Sequence, residues 1–153
     1  MAILSNPKDL QETDKVVIAG FGFDEINHPL ANGGEESSSL YSLRSYPTIV
    51  TAAPDPEIQK LELFAKRNKD NRDVFDGAKR GDSGGPAYVY LNGNLVLAGI
   101  CSGSYLSDEF EVRDPAKPQS EFGNQDAYEF LPSYKEWLIQ TAKKFSADLA
   151  FAP

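Results

Sequence analysis

Residues 81–86 read Gly-Asp-Ser-Gly-Gly-Pro, and their types and spacing suit nucleophilic chemistry. A serine hydroxyl is a weak nucleophile. It needs a neighbouring base to take its proton and a site for the negative charge that its attack creates. The glycines around Ser83 let the backbone turn tightly and let a carbonyl approach closely. In such a turn the amides of Gly81 and Ser83 are placed to donate to one oxyanion, an arrangement that contributes a few kcal/mol to a transition state. Asp82 between them is either solvated or, if buried, in need of a cationic partner.

All six residues, with their flanks, resemble the nucleophile motif of the trypsin/chymotrypsin-like serine peptidases. The resemblance implies that Ser83 is the nucleophile and that Gly81 and Ser83 form the oxyanion hole. It implies that Asp82 is the carboxylate that pairs with an ammonium freed on zymogen activation. The looser Gly-x-Ser-x-Gly pattern of α/β-hydrolases also fits, but it requires a histidine after the serine, and none follows Ser83. The similarity extends to Gly20-Phe21-Gly22 at the end of a strand, to a hairpin after the motif, and to Tyr128 and Trp137 near the end of the chain. It covers nearly the whole chain but only the second half of the family's two-barrel fold.

The expected fold is therefore all-β. It is a single domain over residues 1–153, a six-stranded antiparallel Greek-key β-barrel of the trypsin-like type closed by a C-terminal α-helix, with the first barrel absent. That barrel carries the family's catalytic His and Asp. The Ala-Ala-His-Cys motif is missing, and His28 is the only histidine. The order His28, Asp, Ser83 matches the triad order of the class. Even so, His28 reads as a loop residue of the same barrel rather than as the base.

By the same resemblance Gly77, six residues before Ser83, is the floor of the pocket for the side chain preceding the scissile bond. Ser102, Gly103 and Ser104 form its edge, with Gly103 where an aromatic is usual. Asp126, two before Tyr128, is either an acid that gives a preference for Arg or Lys, or a solvated residue at a strand entry. Asp76 is the second candidate acid. The implied function is serine-type endopeptidase, with this chain supplying nucleophile, oxyanion hole and specificity pocket and a separate N-terminal barrel chain supplying His and Asp. The alternative is an inactive pseudo-protease half that binds protein. No cofactor or metal is implied. The partners are a polypeptide substrate and the N-terminal barrel, or failing that a second copy. The family places such a chain in a secreted or periplasmic setting. The lead-in around Ile3 and Leu4 and the helix around Trp137 are the candidate docking faces. Without a first barrel, Asp82 is expected in solvent or beside Lys79 or Arg80.

Composition bounds these readings. The 153 residues are 41% hydrophobic, enough for one real core. A net charge of −8, from 15 basic and 23 acidic residues, argues against nucleic acid and anionic membranes as partners. No run reaches transmembrane length, and the first residues lack a signal-peptide pattern. Cys101 is the only cysteine, so no internal disulfide can form. It reads as a small buried hydrophobe. Asp24, Glu25, Glu35 and Glu36 lack the alternating ligand spacing of a calcium loop.

Local pattern predicts the elements that position these residues. Residues 1–13 read as an extended lead-in. Lys15 to Gly22 is a strand, Phe23 to Ser39 a surface loop, and Tyr41 to Thr51 a strand whose Pro47 implies an edge or bulge. Asp55 to Lys66 reads as a short helix capped by Asp55. Pro86 to Leu91 and Asn94 to Ser102 form a hairpin about Asn92-Gly93. Tyr105 to Gln125 is a polar insertion, Asp126 to Leu131 a strand, and Ser133 to Phe145 an amphipathic helix.

Overall fold

The computed structural model describes residues 1–29, 35–41, 43–52, 54, 57, 59–67, 75–79, 81–105, 111–117 and 121–152. At 23–29, 35–41, 67, 75 and 76 it describes backbone only. The chain is mostly antiparallel β. Its strands are β1 (Ala2–Ile3), β2 (Lys15–Gly20), β3 (Phe23–Pro29), β4 (Glu35–Tyr41), β5 (Arg44–Ile49), β6 (Lys60–Arg67), β7 (Phe75–Asp76), β8 (Pro86–Leu91), β9 (Asn94–Tyr105), β10 (Val112–Arg113) and β11 (Phe122–Phe130), followed by helix α1 (Lys135–Lys144).

One sheet runs in the order β5-β2-β8-β9-β11-β6-β7, with β1 parallel to β9 and β10 antiparallel to β11. It curls into a half-barrel. Val50, just past β5, bridges Leu63 of β6, so the two ends of the six-strand path approach each other. The Thr51 amide donates to the Glu62 carbonyl at 3.0 Å beside that bridge.

Alternation explains the strands. Val16 and Ile18 of β2, Ala87 and Val89 of β8, and Val96 and Ala98 of β9 point to the same interior, two residues apart as pleating requires. Leu61 and Leu63 of β6 and Tyr128 and Phe130 of β11 fill the rest of that core. Each large apolar side chain buried this way contributes about 1.5–3 kcal/mol. The predicted hairpin is present. Asn92 (φ +50°) and Gly93 (φ +79°) both occupy the left-handed region that a two-residue turn between twisted strands requires. Pro47 lies in β5, which among the described strands pairs with β2 alone, at the end of the sheet order, a place where a missing N–H is tolerated.

Three expectations are corrected. The stretch read as a helix is β6. Its buried residues Leu61, Leu63, Phe64 and Ala65 lie on both faces of the strand and so mimic a helical stripe; Asp55 and Ile58 fall outside the described residues. The stretch read as a surface loop is a two-stranded hairpin, β3 with β4, in which His28 pairs with Glu36. Its residues show no apolar alternation along the sequence, so composition hides it. The lead-in is not a free apolar face. Leu4 and Leu10 are core residues, and the Ile3 amide donates to Ala150 while the Ala152 amide donates to Ile3, both at 2.8 Å.

The strand foreseen from Asp126 begins earlier, at Phe122, and a 3-10 turn over Leu131–Tyr134 leads into the expected helix α1. That helix buries no residue completely, and Trp137 is 61% exposed. Among the described residues no helix is long and apolar enough to cross a membrane.

Candidate functional site

The turn that presents Ser83 is built around a buried carboxylate. Asp82 is 8% exposed. Its Oδ1 accepts the Gly22 amide at 2.6 Å and its Oδ2 accepts the Lys79 amide at 2.7 Å. Two backbone donors on one ionised acceptor are charge-assisted bonds, stronger than neutral ones. The cationic partner is Arg44 of β5. Its guanidinium lies 3.9 Å from Asp82 Oδ2, donates to the Gly22 carbonyl at 2.5 Å, and stands over the Tyr46 ring. Asp82 is thus not in solvent, and it forms an ion pair with Arg44. Lys79 serves it through its backbone amide, and Arg80 lies outside the described residues. The pairing foreseen for Asp82 was with an ammonium; a guanidinium from the edge strand stands there instead.

Gly20 and Gly22 make room for this carboxylate. A Cβ on Gly20 would lie 2.0 Å from Asp82 Oδ1, and one on Gly22 would lie 2.6 Å from the same atom. The Gly-Phe-Gly at the end of β2 is therefore a cradle. It leaves Phe21 between the glycines 62% exposed.

The turn itself is fixed at both ends. The Asp82 amide donates to the Lys79 carbonyl at 2.9 Å, the Gly85 amide to the Asp82 carbonyl at 2.8 Å, and the Gly84 amide to the Cys101 carbonyl at 2.9 Å. Gly81 at φ +97° and Gly84 at φ +83° take the left-handed backbone that a side chain would disfavour. Ser83 stands exposed at the tip. The amides of Gly81 and Ser83 donate to nothing among the described residues. An open depression of about 540 Å³ adjoins the turn, lined by Phe21, Leu43, Gly81, Ser83, Pro86 and Tyr88 among others. Leu43, like Phe21, is an exposed apolar residue on its rim.

Behind the turn, β9 and β11 bring the other predicted residues together. The Cys101 bonds to Gly84 and Gly85 seat the turn on β9 immediately before Ser102, Gly103 and Ser104. Ser104 is in register with Asp126, and Gly103 with Ala127. Among the described residues nothing lies within 4 Å of where a Gly103 Cβ would stand. The Ser102 hydroxyl donates to the Ala127 carbonyl at 3.1 Å and accepts from Lys60 Nζ at 3.2 Å. Lys60 also pairs with Glu129, which accepts the Tyr134 hydroxyl and is held below the usual carboxylate range by both.

Asp126 is 1% exposed, so it is no solvated strand-entry residue. Its Oδ2 accepts the Ala78 amide at 2.6 Å, and a Cβ on Gly77 would lie 2.7 Å from that oxygen. Burial pushes its pKa from 3.8 up to about 7, moderated by the Ala78 bond and raised further by the Asp82 charge. Burial likewise raises Cys101, which is hydrogen-bonded by the Tyr128 hydroxyl and has no activating base on it. The side chain of Asp76 falls outside the described residues, as do those of His28 and of Asp24, Glu25, Glu35 and Glu36. Among the described residues no group of three His, Cys, Asp or Glu could hold a metal ion.

One participant had no readable sequence signal, nor did one buried polar residue close to Asp126 in the chain. Arg44 is one basic residue in an ordinary edge strand, and its role appears only when β5 lies beside β2. Asn124 is completely buried on β11, and neither atom of its amide has a hydrogen-bond partner among the described residues. No family model matches the sequence, and no curated protein matches it either.

Proposed function

We propose that this chain is the nucleophile-bearing half of a serine endopeptidase, with a β-barrel of the trypsin-like type. The observation that carries the reading is the Ser83 turn. An exposed hydroxyl sits beside two amides that donate to nothing among the described residues, on a backbone anchored by a buried, doubly bonded Asp82. In the proposed reaction Ser83 Oγ attacks a peptide carbonyl and its proton passes to a histidine of a partner chain. The carbonyl oxygen takes the charge toward the Gly81 and Ser83 amides. The leaving amine departs with the proton, and water then releases the acyl group. Gly77, Ser102, Gly103, Ser104 and Asp126 would hold the side chain preceding the cleaved bond. A preference for a basic one would rest on the Asp126 carboxylate beneath Gly77. The partner would cover the depression rimmed by Phe21 and Leu43, both more than 60% exposed. That face replaces Leu4 as the candidate docking surface.

A second reading, a binding module without chemistry, draws on the single histidine, His28, and its place in the β3–β4 hairpin. A peptidyl boronic acid separates the two, since boron accepts a serine oxygen without an enzymic base. Boron NMR should show a tetrahedral adduct with the native chain and none with Ser83→Ala. A trigonal boron in both samples would remove the catalytic reading. Peptide binding unchanged by Ser83→Ala would favour the binding module.

A further inference from the structure

Asp82 and Asp126 grip consecutive amides of the same loop. The Lys79 amide goes to Asp82 and the Ala78 amide to Asp126, at 2.7 and 2.6 Å. The Lys79 carbonyl in turn accepts the Asp82 amide, one residue before Ser83. A continuous hydrogen-bonded path therefore runs from Asp126 on β11, through Ala78 and Lys79, to the tip of the turn. A Cβ on Gly77 would lie 2.6 Å from Ala65 Cβ and 2.7 Å from Asp126 Oδ2, so the loop passes close against Asp126 there.

We propose that Asp126 is a positioning residue for the Ser83 turn, and that its protonation state sets how tightly the backbone at Ala78 and Lys79, and through it Asp82, is held. The carboxylate form takes the Ala78 amide in a charge-assisted bond, and the neutral acid takes it more weakly. Asp126 faces Asp82 on the turn and Lys79 on the loop, Cys101 on β9 and Tyr128 on its own strand. Of these, Lys79 alone favours the ionised form and Asp82 opposes it. Burial dominates both and brings the transition to about pH 7. The turn is held firmly above that pH and loosened below it. This holds whether or not Ser83 is a nucleophile, so it stands apart from the peptidase reading.

Amide NMR of the native chain between about pH 5.5 and 8.5 tests it. The Ala78, Lys79, Asp82 and Ser83 cross-peaks should titrate together with one midpoint near 7, matched by the Asp126 side-chain carboxyl carbon. Val89 and Val96, in the core, should stay still. In Asp126→Asn the shared midpoint should vanish. An immobile Ala78 resonance, a Ser83 that ignores a titrating Ala78, or a midpoint that persists in Asp126→Asn would each overturn the proposal. If that variant does not fold, the native titration decides alone, with the carboxyl carbon of Asp126 either sharing the amide midpoint or refuting the assignment.

Discussion

Replacing Asp82 with Asn tests whether the buried carboxylate organises the turn. The variant keeps the shape and removes the charge. An amide side chain offers one acceptor oxygen where the native carboxylate serves two donors, the Gly22 and Lys79 amides. Its NH2 group therefore faces a backbone N–H. A buried donor left unpaired costs about 1–3 kcal/mol. Arg44, with a side chain 15% exposed, also loses the Asp82 charge 3.9 Å away. Breaking a buried pair costs about 3–5 kcal/mol in total. The 3.9 Å separation of guanidinium and carboxylate puts most of that loss on the amides rather than on the ion pair. The expected destabilisation is about 4 kcal/mol in urea unfolding, with an unchanged slope. A double-mutant cycle with Arg44→Met should return a coupling of only about 1 kcal/mol. An Asp82→Asn variant within about 1 kcal/mol of the native chain would show that the amides do not depend on the carboxylate, and the account of the turn would fail.

Other outcomes follow from the same geometry. Asp126 titrates near 7 in the folded chain and near 3.8 when unfolded, so folding favours its protonated form. Its contribution is complete below about pH 4, falls away up to about pH 7 by at most about 4 kcal/mol, and is flat above. Urea midpoints across that range should show the slope, and Asp126→Asn should flatten it. Gly20→Ala should be strongly destabilising alone but nearly neutral in an Asp82→Ala background, because the new methyl collides with the Asp82 carboxylate; equal costs in both backgrounds would deny the cradle. Leu63→Ala should cost about 2–5 kcal/mol, and Trp137→Ala no more than about 0.5 kcal/mol in the isolated chain. The first is fully buried and the second largely exposed; denaturation curves that reverse this order would contradict the assigned core.

Local signals were readable where the chain itself dictates geometry. Asn92-Gly93 specified its turn because only left-handed residues join twisted strands in two steps. Pro47 announced an edge because it has no N–H to give. Gly77 and Asp126 were singled out together and do lie against each other. What failed was burial on two faces and a strand pair without an apolar period. β6 carries apolar residues on both sides and imitates a helix, while β3 and β4 form a ribbon with no apolar period. Long-range chemistry was the least legible. Gly20 and Gly22 stood out as a pair, but their reason is Asp82, sixty residues away from Gly22 along the chain. Arg44 reaches Asp82 only through the β2–β5 pairing.

The central claim is that Ser83 is presented with its oxyanion donors but without a base. Intact-mass measurement of fluorophosphonate labelling tests it most directly, on the same folded sample that binds a peptidyl boronic acid. The account predicts no labelling of the isolated chain over hours, beyond the level seen in Ser83→Ala. Rapid, stoichiometric labelling at Ser83 would contradict it, and loss of that labelling in His28→Ala would place the base on β3.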